Sequence, residues 1–133
     1  VIEKSDIDRD TVVAEVRAVF ERYEAALVAN DVDVLDELFW RDPRTIRFGV
    51  GENLYGFDAI AAFRGARVLP GGSRELRNTT IVAYGPDAAS AMTEFRWDTA
   101  AAWNRQSQMW VRMPEGWRVV AAHVSAMRGD GQS

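Results

Sequence analysis

The sequence predicts an α+β domain in which three N-terminal helices pack into a strongly curved antiparallel β-sheet. Apolar residues recur at helical spacing through roughly the first half of the chain, and from about Glu75 onward the alternation switches to a period of two. Within 133 residues, the length of one ordinary domain, there are no repeats, low-complexity tracts or linkers to divide the pattern. A single domain over 1–133 is therefore expected. Its termini should fray at about 1–8 and at 128–133, where the polar, glycine-containing RGDGQS offers little to bury.

The first helix is expected from about Asp8 to Ala29, because Val12, Val16, Val19, Tyr23 and Leu27 form one apolar stripe. Asn30 and Asp31 punctuate its end, and a shorter helix carrying Leu35, Leu38 and Phe39 runs up to Trp40 and the breaker in RDPR. Thr45 to Phe48 reads as a strand that turns at Gly49–Gly51 into Asn53 to Tyr55 as a hairpin. A third helix is expected from near Asp58, taken as its N-cap, through Ile60 and Phe63 to the LPGGS loop. Four long strands then begin near Glu75, Ala88, Arg105 and Trp117, separated by YGPD, DTAAAWN and MPEG. Alternation groups Trp117, Val119, Ala121, His123 and Ser125 on one strand face. It likewise groups Ala89, Ala91, Thr93, Phe95 and Trp97, and such small residues either leave a pocket or admit close helix packing.

Composition narrows the function classes. Apolar residues at 47% and charged residues at 27% describe a folded chain rather than a disordered one. With no Cys and one His, the chain has neither a disulfide framework nor the ligands for a zinc enzyme, and no metal or organic cofactor is expected. A formal charge of −4 argues against a nucleic-acid surface. The acidic opening VIEKSDIDRD lacks the apolar stretch of a signal peptide, and no apolar run reaches membrane-span length, so a cytoplasmic protein is expected. Fifteen of the sixteen cationic side chains are Arg, which suits bidentate carboxylate binding and is also what a GC-rich genome produces.

Within this frame, TIRFGVGENLYG places a cation, Arg47, inside a short strand, where it is either a binding residue or a surface residue paired with Glu or Asp. Tyr23, on the stripe of the first helix, should turn its ring inward with its hydroxyl in need of a polar partner. His123 is a candidate base or substrate donor and equally a core histidine. Glu52 and Asn53 can orient Arg47 or close a rim, although turn chemistry also accounts for Asn53. Trp40, Phe48 and Tyr55 fit core or pocket wall. Gln106, Gln108 and Trp110 share a strand face suited to urea recognition or, by a slight preference, to a dimer interface. For Arg64 and Arg67, in the last turn of the third helix, the helix dipole is reason enough.

FERYEAALVANDVDVLDELFW, RTIRFGVGENLYGFDAIAAFR and RQSQMWVRMPEGWRVVAAHVS together resemble the AtzH-like or HpxZ-like family (DUF3225), in the SnoaL-like branch of the NTF2-like superfamily. The resemblance spans about Val12 to Ser125. It implies a cone of curved sheet capped by helices, a homodimer through the outer sheet face, and a cofactor-free amidohydrolase that converts 1,3-dicarboxyurea to allophanate in cyanuric acid or related nitrogen catabolism. It also implies Tyr23 and Arg47 as the catalytic pair, with Arg47 holding a carboxylate or oxyanion and Tyr23 supplying a proton. Two rivals stand beside it: a noncatalytic ligand-binding protein that supports a pathway amidase, and a SnoaL-type isomerase or cyclase with a large apolar cavity and a carboxylate base. The acidic residues fall mostly at exposed helix or turn positions, which disfavours the latter.

Overall fold

In the computed structural model, which describes residues 1–128, α1 (Asp10–Ala29) is followed by α2 (Val32–Glu37), β1 (Ile46–Phe48), β2 (Asn53–Tyr55) and α3 (Phe57–Ala66). Four long strands complete the chain: β3 (Arg74–Ala83), β4 (Ala88–Trp97), β5 (Asn104–Met113) and β6 (Gly116–Ala126). The expected elements are all present within a few residues of their predicted bounds. The RGDGQS tail lies outside the described residues from Gly129 on.

Local chemistry explains the boundaries. Asn30 ends α1 in the left-handed region (φ 51°), its N–H bonding back to the carbonyls of Ala26 and Leu27. Asp31 then caps α2, its side chain accepting from the Val34 amide at 3.3 Å. The N-cap of α3 is Gly56, not Asp58 as expected. Its φ of 91° is one that only glycine adopts cheaply, and Asp58 sits inside the first turn, where a negative charge suits the helix dipole.

The strands form one sheet in the order β2-β1-β6-β5-β4-β3. The pairing is antiparallel except at β1 and β6, which run parallel with Arg47 opposite Ala122, so the sheet is not wholly antiparallel as expected. This junction brings the Arg47 strand beside the end of the chain.

Two bulges bend the sheet. One lies between Arg77 and Thr80 of β3, with Asn78 at φ 53°. The other inserts Val120 into β6, since Met109 pairs with Ala121 while Trp110 pairs with Val119. That extra residue inverts the alternation: Trp117 and Val119 point inward before it, and Ala122 and Val124 point inward after it. The expected single face from Trp117 through His123 to Ser125 does not exist, and His123 is exposed on the outer face.

Along α1, Val12, Val16, Phe20, Tyr23, Ala26 and Leu27 are buried against the concave face. Ala83, Ala89 and Ala91 lie beneath them in the core, so these small residues serve close helix packing rather than a pocket. A cavity lies further along β4, at Phe95 and Trp97. Gln106, Gln108 and Trp110 face inward at 4%, 3% and 0% exposure, which removes this row from the outer surface where an interface was preferred. Gln108 accepts the Trp110 indole N–H at 3.1 Å.

Within residues 1–8, where fraying was expected, Lys4–Asp6 form a 3-10 turn and the Asp6 carbonyl accepts the Gly85 amide at 3.0 Å. Ile7 bridges to Tyr84, the Asp8 amide donates to the Ala83 carbonyl at 2.9 Å, and the Asp8 carboxylate accepts the Ala83 amide at 2.8 Å. Asp8 also holds a left-handed φ of 56°. Asp8→Ala is expected to cost about 1–2 kcal/mol through the lost acceptor and the strained backbone. A urea titration reads this as a lower midpoint with an unchanged slope.

Candidate functional site

Arg47 and Tyr23 come together. A cavity of about 140 Å³ lies between α1, the concave sheet face and the segment after α3, and both side chains line it. Tyr23 is placed by the apolar stripe of α1, 4% exposed, its ring stacked on Phe39 at 5.9 Å between centroids. Arg47 is placed by the middle of β1, whose inward-facing residue it is, and is 8% exposed.

The Arg47 guanidinium is held by the neighbouring hairpin. Its Nη1 donates to Glu52 Oε1 at 3.0 Å, and the other Glu52 oxygen accepts the Gly51 amide at 3.2 Å. Gly49 leaves room for this pairing as it stands: a Cβ there would collide with the Glu52 carboxylate and lie 3.0 Å from Arg47 Nη1, so a side chain would push the carboxylate off the guanidinium. The glycine in the RFG string is thus a gap filled by an ion pair. Glu52 occupies one corner of the fork and leaves its remaining N–H groups for a ligand.

Two further arginines line the same cavity. Arg74 lies over Phe95 at 3.7 Å and Trp97 at 5.5 Å, donates to Glu24 at 2.7 Å through Nε, and reaches Gln106 Oε1 at 2.7 Å through Nη2. Gln106 in turn donates to the second Glu24 oxygen at 3.2 Å, closing a satisfied triad. Arg67 differs: its Nε and Nη2 are buried and have no hydrogen-bond partner among the described residues. Burial above all pushes its guanidinium down to about 10. Repulsion from Arg47 and Arg64 acts in the same direction, while Tyr23 and Glu52 pull the other way.

Sequence reasoning assigned Arg67 to the helix dipole and missed Glu24 and Arg74. Arg67 is the C-cap of α3, in extended conformation, and so departs from the helix and turns into the cavity. Arg64 is structural, 1% exposed, donating to the Leu35 carbonyl at 3.2 Å and to Asp36 at 3.1 Å. Glu24 is a partly buried carboxylate beside the site, an exception to the expectation that the acids fall mostly at exposed positions. The burial of Arg74 was hidden because its partners lie far off along the chain.

The other expected site residues lie elsewhere. His123 packs edge-on against Phe48 on the outer face, 5.6 Å between centroids, and Tyr55 meets Phe48 from the other side at 6.0 Å. Asn53 is exposed, and Tyr55 is 63% exposed. Trp40 carries the Arg44 guanidinium at 4.9 Å and does not line the Tyr23–Arg47 cavity. A larger cleft of about 440 Å³ lies around Arg41, Asp42, Tyr55 and Asp58, away from the Tyr23–Arg47 pair. Among the described residues, no three His, Cys, Asp or Glu side chains group as a metal site requires. Among the described residues, no helix is long and apolar enough to cross a membrane.

The AtzH-like family model matches residues 5–130. Among solved structures, a DUF3225-family protein of unknown function from Pectobacterium atrosepticum is 55% identical. The match covers 96% of this chain and 100% of the other, with a TM-score of 0.93. A cystatin-like fold protein from Burkholderia xenovorans is 39% identical over 97% and 99% of the two chains, with a TM-score of 0.90. An NTF2-like superfamily protein from Salmonella enterica is 27% identical over 92% and 97%, with a TM-score of 0.74. No curated protein matches the sequence. The NTF2-like fold expected from the quoted strings is the fold observed.

Gly49→Ala is expected to cost about 1–3 kcal/mol, because it drives a methyl group into the Arg47–Glu52 pair. In a double-mutant cycle by thermal unfolding, Glu52→Ala should remove much of the penalty of Gly49→Ala. Additive losses would mean that the glycine acts elsewhere.

Proposed function

The chain belongs to the AtzH-like family, and on that footing we propose that it is a cofactor-independent amidohydrolase of ureido compounds, decarboxylating 1,3-dicarboxyurea to allophanate in cyanuric acid or related nitrogen catabolism. The observation that carries this reading is that Tyr23 and Arg47, from separate elements, line one small cavity together with two more guanidinium groups. A molecule built as carboxylate, NH, carbonyl, NH, carboxylate is a dianion, and it leaves water only where compensating positive charge awaits it.

The reaction uses that charge at one place and a proton at another. As the bond between the terminal carboxylate carbon and its nitrogen breaks, the electron pair moves onto the nitrogen and toward the urea carbonyl. Arg47 stabilises this developing charge through the N–H groups that Glu52 leaves free. Tyr23 gives its hydroxyl proton to the nitrogen and recovers one from water. The dianion plus one proton becomes monoanionic allophanate plus carbon dioxide. The apolar side of the cavity, with Leu27, Leu69 and Val124, favours the uncharged product over the carboxylate it came from.

The volume of about 140 Å³ tells against a polycyclic substrate of the isomerase or cyclase kind, since pockets for drug-sized molecules run to about 300–1,000 Å³. A second copy of the chain is proposed to cover the outer sheet face. An apolar groove of about 360 Å³ there includes Phe48, Met92, Met109 and His123, and Met92 and Met109 are 53% and 48% exposed.

The central test is allophanate formation above the spontaneous background. Tyr23→Phe should keep the fold and lose about 10²- to 10⁴-fold in rate. Arg47→Lys should fail nearly as badly as Arg47→Ala, because an ammonium lacks the planar fork. Full activity in Tyr23→Phe would remove the proton donor, and no acceleration by folded wild type would replace the enzyme with a ligand-binding protein. In light scattering, Met92→Glu paired with Met109→Glu should convert a dimer to a monomer while the circular dichroism spectrum stays unchanged. A dimer that persists would move the interface elsewhere.

A further inference from the structure

The cavity contains more binding capacity than a Tyr–Arg pair requires. Of the three guanidiniums that line it, Arg47 is paired with Glu52 and Arg74 with Glu24, whereas Arg67 has no carboxylate pair among the described residues. The two buried, unpartnered Arg67 nitrogens, Nε and Nη2, form one edge of the guanidinium plane, the edge that grips a carboxylate with two parallel N–H···O bonds. The Arg67 and Arg47 guanidiniums also lie over the same Phe63 ring, at 5.8 and 5.6 Å from its centroid. A buried polar edge without a partner is costly unless something supplies one.

Resting on the reading above, we propose that Arg67 is the receptor for the substrate carboxylate that is retained, so that the cavity is a two-ended clamp selecting dianions over monoanions. Arg67 takes the far carboxylate side-on and Arg47 faces the reacting end, with Tyr23 in the same cavity. This fixes which end of a nearly symmetric substrate reacts. It also explains why the chain tolerates a partly buried cation whose proton is held less firmly than in water. At neutral pH the charge is present and works against folding, with relief only as pH rises through about 10 toward the ordinary arginine range. A bound carboxylate supplies the same relief at pH 7.

The test is equilibrium binding and thermal shift with two unreactive probes, glutarate, with a carboxylate at each end, and butyrate, with one. Wild type is expected to bind glutarate about 10- to 100-fold more tightly than butyrate, the worth of a bidentate charge-assisted contact. Arg67→Gln should bring glutarate down to the butyrate level and raise the melting temperature of the unliganded protein. Arg67→Lys should retain only part of the discrimination, and Tyr23→Phe should retain it fully. Equal affinities in wild type, or discrimination that survives Arg67→Gln, would overturn the clamp. Discrimination lost on Arg67→Gln in a protein that never turns over 1,3-dicarboxyurea would keep the clamp and sink the proposed reaction.

Discussion

A guanidinium taken out of water has to be answered by an anion or a row of acceptors, and much of this structure is arranged around that requirement. Arg64 is answered through Nη1 by the Leu35 carbonyl and Asp36, which ties α3 to α2, while its Nη2 is buried without a partner among the described residues. Arg74 is answered by Glu24 and Gln106, which ties β3 to α1 and β5. Arg47 is answered by Glu52 across the short hairpin, beside Gly49, whose missing side chain leaves room for the pair. The Arg74 pairing joins α1 to the sheet, and the Arg47 and Arg74 pairings orient charges that face the cavity. Replacing one partner alone would leave the other buried and unanswered, so each pair is more consequential when broken than its net contribution to stability suggests.

Against that pattern, the exception marks function. Arg67 lines the same cavity as Arg47 and Arg74, but its Nε and Nη2 are buried without the partners those two have. A chain selected for stability alone would place an apolar or amide side chain there. Of the arginines that line the cavity, the paired Arg47 and Arg74 form the frame, and Arg67, whose Nε and Nη2 have no partner among the described residues, is where a ligand completes the structure.

The scaffold reaches this arrangement through backbone irregularities. The parallel junction of β1 with β6 sets Arg47 opposite Ala122, a residue small enough to leave the space beside it open. The inserted Val120 turns Ala122 and Val124 inward and His123 outward. Without that one residue the imidazole would point into the cavity and the surface beside Phe48 would lose a ring. Alanines on β3 and β4 let α1 settle close to the sheet, while the larger Phe95 and Trp97 hold the opposite end apart.

The order of helices and strands was legible from periodicity alone, because apolar spacing and turn residues are local signals. So was the inward face of α1, and with it the burial of Tyr23; the quoted strings indicated the family and the Tyr23–Arg47 pair. What the sequence determined by itself was therefore the element order, the buried stripe and the candidate pair. Only the tertiary structure decided that His123, Asn53, Tyr55 and Trp40 stand away from that pair, that the Gln106 row faces inward, and that Arg67 and Arg74 join it. The reason is physical: a single inserted residue reverses a strand's faces without changing its composition. Likewise, the partner that buries a charge, as Glu24 does for Arg74, can lie fifty residues away.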